Sequence, residues 1–203
     1  MSDLYATANG LRVTMADVAI PYYGAAVADV TIAGSDTLAP SVILVIGNLS
    51  LRMTVLRQRA FAGSTSARLV GGAGGWGKLV GAHAYQDPKG VPLKSILLDV
   101  ATEVGETIAL AVGRTVGAFY AREAGPAERV LRQLAGSIWY VQNDGVTVVG
   151  PRLPFRIKTA ATVEAYAGGK GWLTVATEDP ASWLPGATYT STTVPDGLTV
   201  AAV

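Results

Sequence analysis

The residues with the clearest chemical potential lie in one glycine-rich segment, Gly72-Ala73-Gly74-Gly75-Trp76-Gly77-Lys78-Leu79. It satisfies the first part of a phosphate-binding loop, G-x-x-x-x-G-K. That chemistry needs backbone N–H groups around the phosphates, a lysine on the outer ones and a Ser or Thr hydroxyl on magnesium. Position 79 is leucine, so the metal contact is missing. A helix should follow, with its N-terminus facing the phosphate. Gly81 and Pro88 interrupt instead, and residues 79–85 read as a strand. There is no βαβ alternation and no later apolar strand ending in an aspartate that could serve as a second metal ligand. The segment therefore reads as a structural loop.

Other candidates are weaker. His83 is the single histidine, so any Ser–His–Asp triad would have to use it, and no nucleophile signature lies beside it. Asp99, Glu103 and Glu106 cluster in sequence and could be considered for acid–base work on sugars. Asp99 and Glu103 fall one turn apart, opposite an apolar helical stripe, which is the usual address of a solvated face. Glu178-Asp179-Pro180 reads as a turn. Trp139 alternates with apolar neighbours and reads as core, whereas Trp76, Trp172 and Trp183 remain candidates for stacking on sugar rings. Arg52, Arg57, Arg59 and Arg68 lack the interleaved aromatics of a nucleic-acid surface and read as interface residues. No catalytic, cofactor-binding or metal-binding residue is assigned, and no cofactor or enzymatic activity is expected.

Composition agrees with that reading. The 203 residues carry 16 Lys and Arg against 15 Asp and Glu, a net charge of +1 that argues against a general nucleic-acid or anionic-membrane binder. The absence of cysteine removes disulfides, thiolate metal sites and a thiol nucleophile. Charged residues are only 15% of the chain, below the roughly 25% of an average soluble protein. So little charge cannot cover a lone surface well, and burial against other subunits is expected. The start Met1-Ser2-Asp3-Leu4-Tyr5 lacks the basic and apolar regions of a signal peptide. Apolar stretches such as 42–46 and 108–112 fall far short of the roughly 20 residues of a membrane span. The expectation is a soluble protein without a membrane anchor.

The elements that would position these residues follow from periodicity. Residues 11–15 alternate with period two after the turn signal Asn9-Gly10. Val27, Asp29 and Thr31 share one face, and Ala26, Ala28, Val30 and Ile32 the other. Residues 42–46 form a continuous apolar run, which suits a strand buried on both faces. Leu49, Leu51, Met53 and Val55 alternate with Ser50, Arg52 and Thr54. These strands suggest a small antiparallel barrel or sandwich. The period then changes. Leu93, Ile96, Leu97, Val100, Ala101 and Val104 form a helical stripe that Pro92 opens and Gly105 stops. Ala127, Val130, Leu131, Leu134 and Ala135 repeat the spacing between Pro126 and Gly136, with Glu128 and Arg132 as an outer i, i+4 pair. A hairpin follows through Asn143-Asp144-Gly145. Residues 162–167 and 171–177 flank Gly168-Gly169-Lys170 as a second hairpin, Trp183-Leu184-Pro185-Gly186 is a turn, and 187–203 reads as a strand or tail.

Several of these segments together resemble the hub and baseplate proteins of tailed bacteriophages. They are Leu69-Val70-Gly71-Gly72-Ala73-Gly74-Gly75-Trp76, the helix from Gly90-Val91-Pro92-Leu93 to Glu103-Val104-Gly105-Glu106, and Phe119-Tyr120-Ala121-Arg122-Glu123-Ala124-Gly125-Pro126-Ala127. Trp139-Tyr140-Val141, Asp144-Gly145-Val146, and Asp179-Pro180 through Leu184-Pro185-Gly186 complete the set. The resemblance is one of order and texture over most of residues 10–187. It implies an α+β, mainly β fold: a barrel or sandwich of tail-tube type with a small two-helix plus hairpin insertion. Residues 1–91 would form the N-terminal barrel part, 92–155 the insertion, and 156–203 strands completing the barrel. It further implies a virion tail protein made in the bacterial host cytoplasm and assembled as a ring, commonly a trimer. Its partners would be the tail tube or a distal tail protein, and a central spike or other baseplate proteins. DNA would be only passing cargo. The chain is short beside larger hubs, which leaves a minimal one-barrel hub or a peripheral subunit. A carbohydrate- or receptor-binding module of the virion is the alternative.

Overall fold

The computed structural model describes residues 5–110, 113–159, 161–167, 172–190 and 198–203. Six strands close into a barrel: β1 (Ala6–Ala8), β2 (Leu11–Ala19), β3 (Val27–Ala33), β4 (Ser41–Ile46), β5 (Leu49–Phe61) and β6 (Ser64–Gly71), in the order β1-β2-β3-β6-β5-β4. Every pairing is antiparallel, and β1 closes the ring by pairing with both β2 and β4. Alternation explains the interior. Ala28, Val30 and Ile32 of β3, Leu49, Leu51 and Met53 of β5, and Ala67 and Leu69 of β6 all point inward and are buried. The turn Ala62-Gly63 has φ of 48° and 76°, the doubly positive geometry that tight hairpins favour. Bulges in β2 and β5 add local twist and so help the sheet curl.

One expectation about this barrel is corrected. Strand β4 is not buried on both faces: Val42 and Leu44 face the core, but Ile43 is 52% exposed. A continuous apolar run does not distinguish a doubly buried strand from one whose outer face is apolar.

The second unit contains β7 (Leu79–Val80), β8 (His83–Gln86), α1 (Leu93–Val104), β9 (Ile108–Leu110), β10 (Phe119–Arg122), β11 (Gly125–Pro126), α2 (Ala127–Ala135), β12 (Trp139–Val141) and β13 (Thr147–Val149). The two expected helical stripes are the buried residues of α1 and α2. Their spacing places each stripe on one face, and the faces meet in a core of their own that also takes in Trp76, Val80, Val91, Trp139, Val141 and Val149. That core starts before residue 92, because the glycine-rich segment contributes Trp76. Pro92 stands at the N-cap of α1, and Gly105 ends the helix in the left-handed region at φ 80°. Strands β12 and β13 form the expected hairpin, and β9 joins β13 in parallel.

The C-terminal part contains β14 (Phe155–Arg156), β15 (Thr162–Ala167), β16 (Trp172–Ala176), a 3₁₀ turn (Pro180–Trp183), β17 (Ala187–Tyr189) and β18 (Leu198–Thr199). Strands β15 and β16 pair as a hairpin; the expected turn at Gly168-Gly169-Lys170 lies outside the described residues. The expectation that these strands complete the barrel differs from the topology. The barrel closes through β1, so β14, β17 and β18 form a separate sheet. The chain end is nevertheless tied to the barrel: the N–H of Ile20 donates to the carbonyl of Val203 at 2.5 Å, and the N–H of Val203 donates back at 3.0 Å.

Two cores imply two sites of cavity sensitivity. Leu44→Ala in the barrel and Leu131→Ala in the insertion, both fully buried, are each expected to lower unfolding free energy by about 2–5 kcal/mol. Urea denaturation followed by circular dichroism measures both.

Candidate functional site

The glycine-rich segment leaves β6 at Gly71 and crosses from the barrel to the insertion. Its backbone N–H groups do cradle an anion, and that anion is the protein's own. The Glu106 side chain is buried, and its carboxylate accepts hydrogen bonds from the N–H of Gly75 at 2.6 Å and of Ala73 at 3.2 Å. Close approach is essential here. A Cβ on Gly75 would lie 2.5 Å from the Val104 carbonyl oxygen and 2.8 Å from the Glu106 side chain. The Lys78 ammonium donates to the Val104 carbonyl at 3.1 Å, placing a cation on the C-terminal end of α1. The Trp76 indole N–H donates to the Thr147 hydroxyl at 2.8 Å. The N–H groups of Ala73 and Gly75 and the Lys78 ammonium are thus occupied in joining elements of the fold.

Further bonds tie the barrel to this seam. The Thr54 hydroxyl donates to the Gly72 carbonyl at 2.7 Å, and the N–H of Arg52 donates to the Asn143 carbonyl at 2.7 Å. On another side, Gly24 exchanges backbone hydrogen bonds with Trp139 and Val141 at 2.7 and 3.0 Å. Arg152 donates to the Tyr22 carbonyl at 2.5 Å and stacks its guanidinium 3.9 Å above the Tyr140 ring centre. Burial lowers the Arg152 pKa from its ordinary value.

Asp99 and Glu103 are exposed, as expected of the outer face of α1, and both also hold a buried cation. The buried guanidinium of Arg122 donates to Glu103 at 2.6 Å and reaches Asp99 at 3.4 Å, while its Nε donates to the Gly81 carbonyl at 2.9 Å. The N–H of Gly81 donates to Glu103 at 2.8 Å, and with Arg122 this holds the Glu103 carboxyl below its usual range. Tyr85 donates to Asp99 at 2.5 Å, and burial together with that bond pushes its phenol well above the ordinary value. The cluster clamps β8 and β10 onto α1. Glu106, adjacent in sequence, belongs to the seam instead.

Asp179 was legible only as a turn residue. Its carboxylate accepts from the hydroxyls of Ser182, at 2.5 Å, and Thr159, and from the Asn48 side-chain amide at 2.5 Å. Those bonds, Ser182 first, lower its pKa to about 2. Asn48 lies between β4 and β5, so this network pins the 3₁₀ turn to the barrel.

The remaining candidates scatter. His83 is exposed on β8 beside Tyr85, with ring centres 4.5 Å apart. Trp76, Trp139 and Trp183 are each 5% exposed and belong to packing, while Trp172 is 56% exposed. Arg57, Arg59 and Arg68 line the outer face of β5 and β6, where Arg68 approaches Asp29 at 3.6 Å. An open groove of about 760 Å³ runs between barrel and insertion, lined by Pro21, Tyr23, Leu56, Val70, Trp76 and Trp139 among others. The charged groups lining it, Glu128 and Arg132, pair with one another at 2.7 Å. Among the described residues no group of three or more His, Asp or Glu side chains could hold a metal ion.

No known protein family matches the sequence, and no curated protein does. Among solved structures, the fold is similar to that of the tail protein from Neisseria meningitidis MC58, with a TM-score of 0.58 and 17% identity over 80% of this chain and 58% of that one. The 43 kDa tail protein of prophage MuSo2 from Shewanella oneidensis aligns with a TM-score of 0.47 and 8% identity, over 80% of this chain and 54% of its own. The chain thus spans less than two thirds of the length of either protein. What the Neisseria protein shares with it is the fold.

Three outcomes test this site. Glu106→Ala leaves the buried Gly75 donor unsatisfied and is expected to cost about 1–3 kcal/mol of stability in urea denaturation. Millimolar ATP with magnesium is expected to leave the melting temperature unchanged, since a nucleotide at 100 times its Kd would add about 2.7 kcal/mol. For Asp179, a folded-state pKa below the unfolded value of 3.8 contributes stability above that value, and the contribution is lost as pH falls toward about 2. Tryptophan fluorescence during acid titration should show that loss, and Asp179→Asn should remove it.

Proposed function

We propose that the protein is a non-enzymatic structural subunit of a phage tail, acting in a hub ring that joins the tail tube to the tail tip or spike. The observation that carries this reading is the fold it shares with the Neisseria tail protein over 80% of its length. A second feature supports it: large apolar side chains stand on the outside, with Phe61 74%, Leu79 77%, Phe119 62% and Leu153 82% exposed. Such positions suit a protein covered by neighbours. In this reading copies associate as a ring, with three as the expected number. The tail tube or a distal tail protein lies on one side, and spike or other baseplate proteins on the other. DNA passes through without specific contact, and the location is the virion tail after synthesis in the host cytoplasm.

A second reading, a carbohydrate- or receptor-binding module of the same particle, keeps one favourable observation, the exposed Trp172 indole. Trp76 and Trp183 no longer support it, because both are buried.

Mass spectrometry of purified virions should recover the chain in a fixed ratio to tail proteins, and native mass spectrometry of the purified protein should show a closed oligomer at high concentration. A stable monomer that is missing from virions overturns the reading. Glycan binding lost in Trp172→Ala, without change in fold, would favour the second reading.

A further inference from the structure

The hairpin β15–β16 forms a two-stranded sheet of its own, and among the described residues neither strand pairs with a third. An isolated hairpin is only marginally stable in water and gains stability from a further strand or a covered face. Its register shows that both faces are apolar or uncharged. Val163 lies opposite Val175 and Tyr166 opposite Leu173 on one face; Ala165 lies opposite Thr174 and Ala167 opposite Trp172 on the other. Tyr166 is 43% exposed and Trp172 56%. The one charged side chain on these strands is Glu164, which is exposed at the bulge between Val163 and Ala165.

A complementary surface stands elsewhere on the same chain. Strand β14 is the end strand of the sheet β14-β17-β18, and among the described residues it pairs only with β17. Around it Leu153 is 82% and Phe155 41% exposed, and Arg156 and Lys158 are exposed cations in no ion pair among the described residues. The hairpin therefore offers an open edge, apolar faces and one anion. The β14 strip offers an open edge, apolar side chains and two cations. Among the described residues neither strand of the hairpin pairs with β14 of its own chain.

We infer that the β15–β16 hairpin of one copy adds to the β14 edge of a second copy of this chain. Backbone pairing through β15 extends the sheet, Val163 and Tyr166 on one face cover Leu153 and Phe155, and Glu164 meets Arg156 and Lys158 on the other. The two surfaces differ, so the contact is head-to-tail, and such contacts close into a ring when the rotation permits. This inference rests on the self-assembling reading above and names the surface that would carry it.

The absence of native cysteines makes a direct test possible. Chains carrying Glu164→Cys and chains carrying Lys158→Cys are mixed and oxidised. A cross-linked heterodimer is expected from the mixture, and none from Glu164→Cys mixed with Asp36→Cys. Glu164→Lys, with fold checked by circular dichroism, is expected to raise the concentration needed for assembly by roughly fivefold, the effect of about one exposed ion pair. Adding Arg156→Glu and Lys158→Glu to that chain should restore assembly. If the wild-type chain assembles while the cross-link is absent and the charge variants behave like wild type, the inference is overturned and the ring reading stands. If the wild-type chain stays a monomer in native mass spectrometry at every concentration, both fall.

Discussion

A carboxylate removed from water must find donors, and the place where Glu106 finds them organises much of this molecule. Its partners are backbone N–H groups of a loop that has just left the barrel, while Glu106 itself follows the last turn of α1. The bond between them therefore spans the junction of two separate cores. An unsatisfied buried group on either side would cost about 1–3 kcal/mol, so the loop and the helix end are held to one relative position. Gly75 is part of the same constraint, since any side chain there would collide with the helix terminus. Lys78 reinforces it by capping the carbonyl of Val104.

The same economy of charge appears elsewhere. Arg122 is buried between Asp99, Glu103 and the Gly81 carbonyl, and the half-buried Arg152 lies between Tyr140 and the backbone of Tyr22. In a chain with 15% charged residues, several of these groups are drawn into joints between elements. Fewer are left to solvate the exterior, where apolar side chains stand exposed on the barrel, on β10 and beside β14. Charge is thus concentrated at internal joints while apolar side chains stand outside, and that distribution is what the proposed structural role rests on.

Much of the fold was legible because it depends on local periodicity. The period-two pattern of β3 and β5 placed Val30, Ile32, Leu51 and Met53 inward, and the helical stripes of α1 and α2 named their buried residues. Glycines at 105 and 136 marked helix ends because each takes a positive φ. The candidate site was legible only in part. The glycine-rich loop was recognisable as structural, but its partner was hidden, because Glu106 lies 31 residues from Gly75 and shows no spacing relation to it. Arg122 carried no signal at all, since 19 residues separate it from Glu103. Asp179 looked like an ordinary turn residue because its partner Asn48 stands 131 positions away.

The amino-acid sequence alone determined the element types, the inward faces, the turns and the poverty of charge, since each of these depends on neighbours within a few residues. Tertiary structure decided how the barrel closes, which anion the glycine-rich loop holds, which tryptophan stays outside and where the last strands go. Those outcomes rest on contacts between residues distant in the chain. Closure through β1 left β14, β17 and β18 to form another sheet, and a loop that could have held a phosphate was already filled by a carboxylate from the far end of a helix.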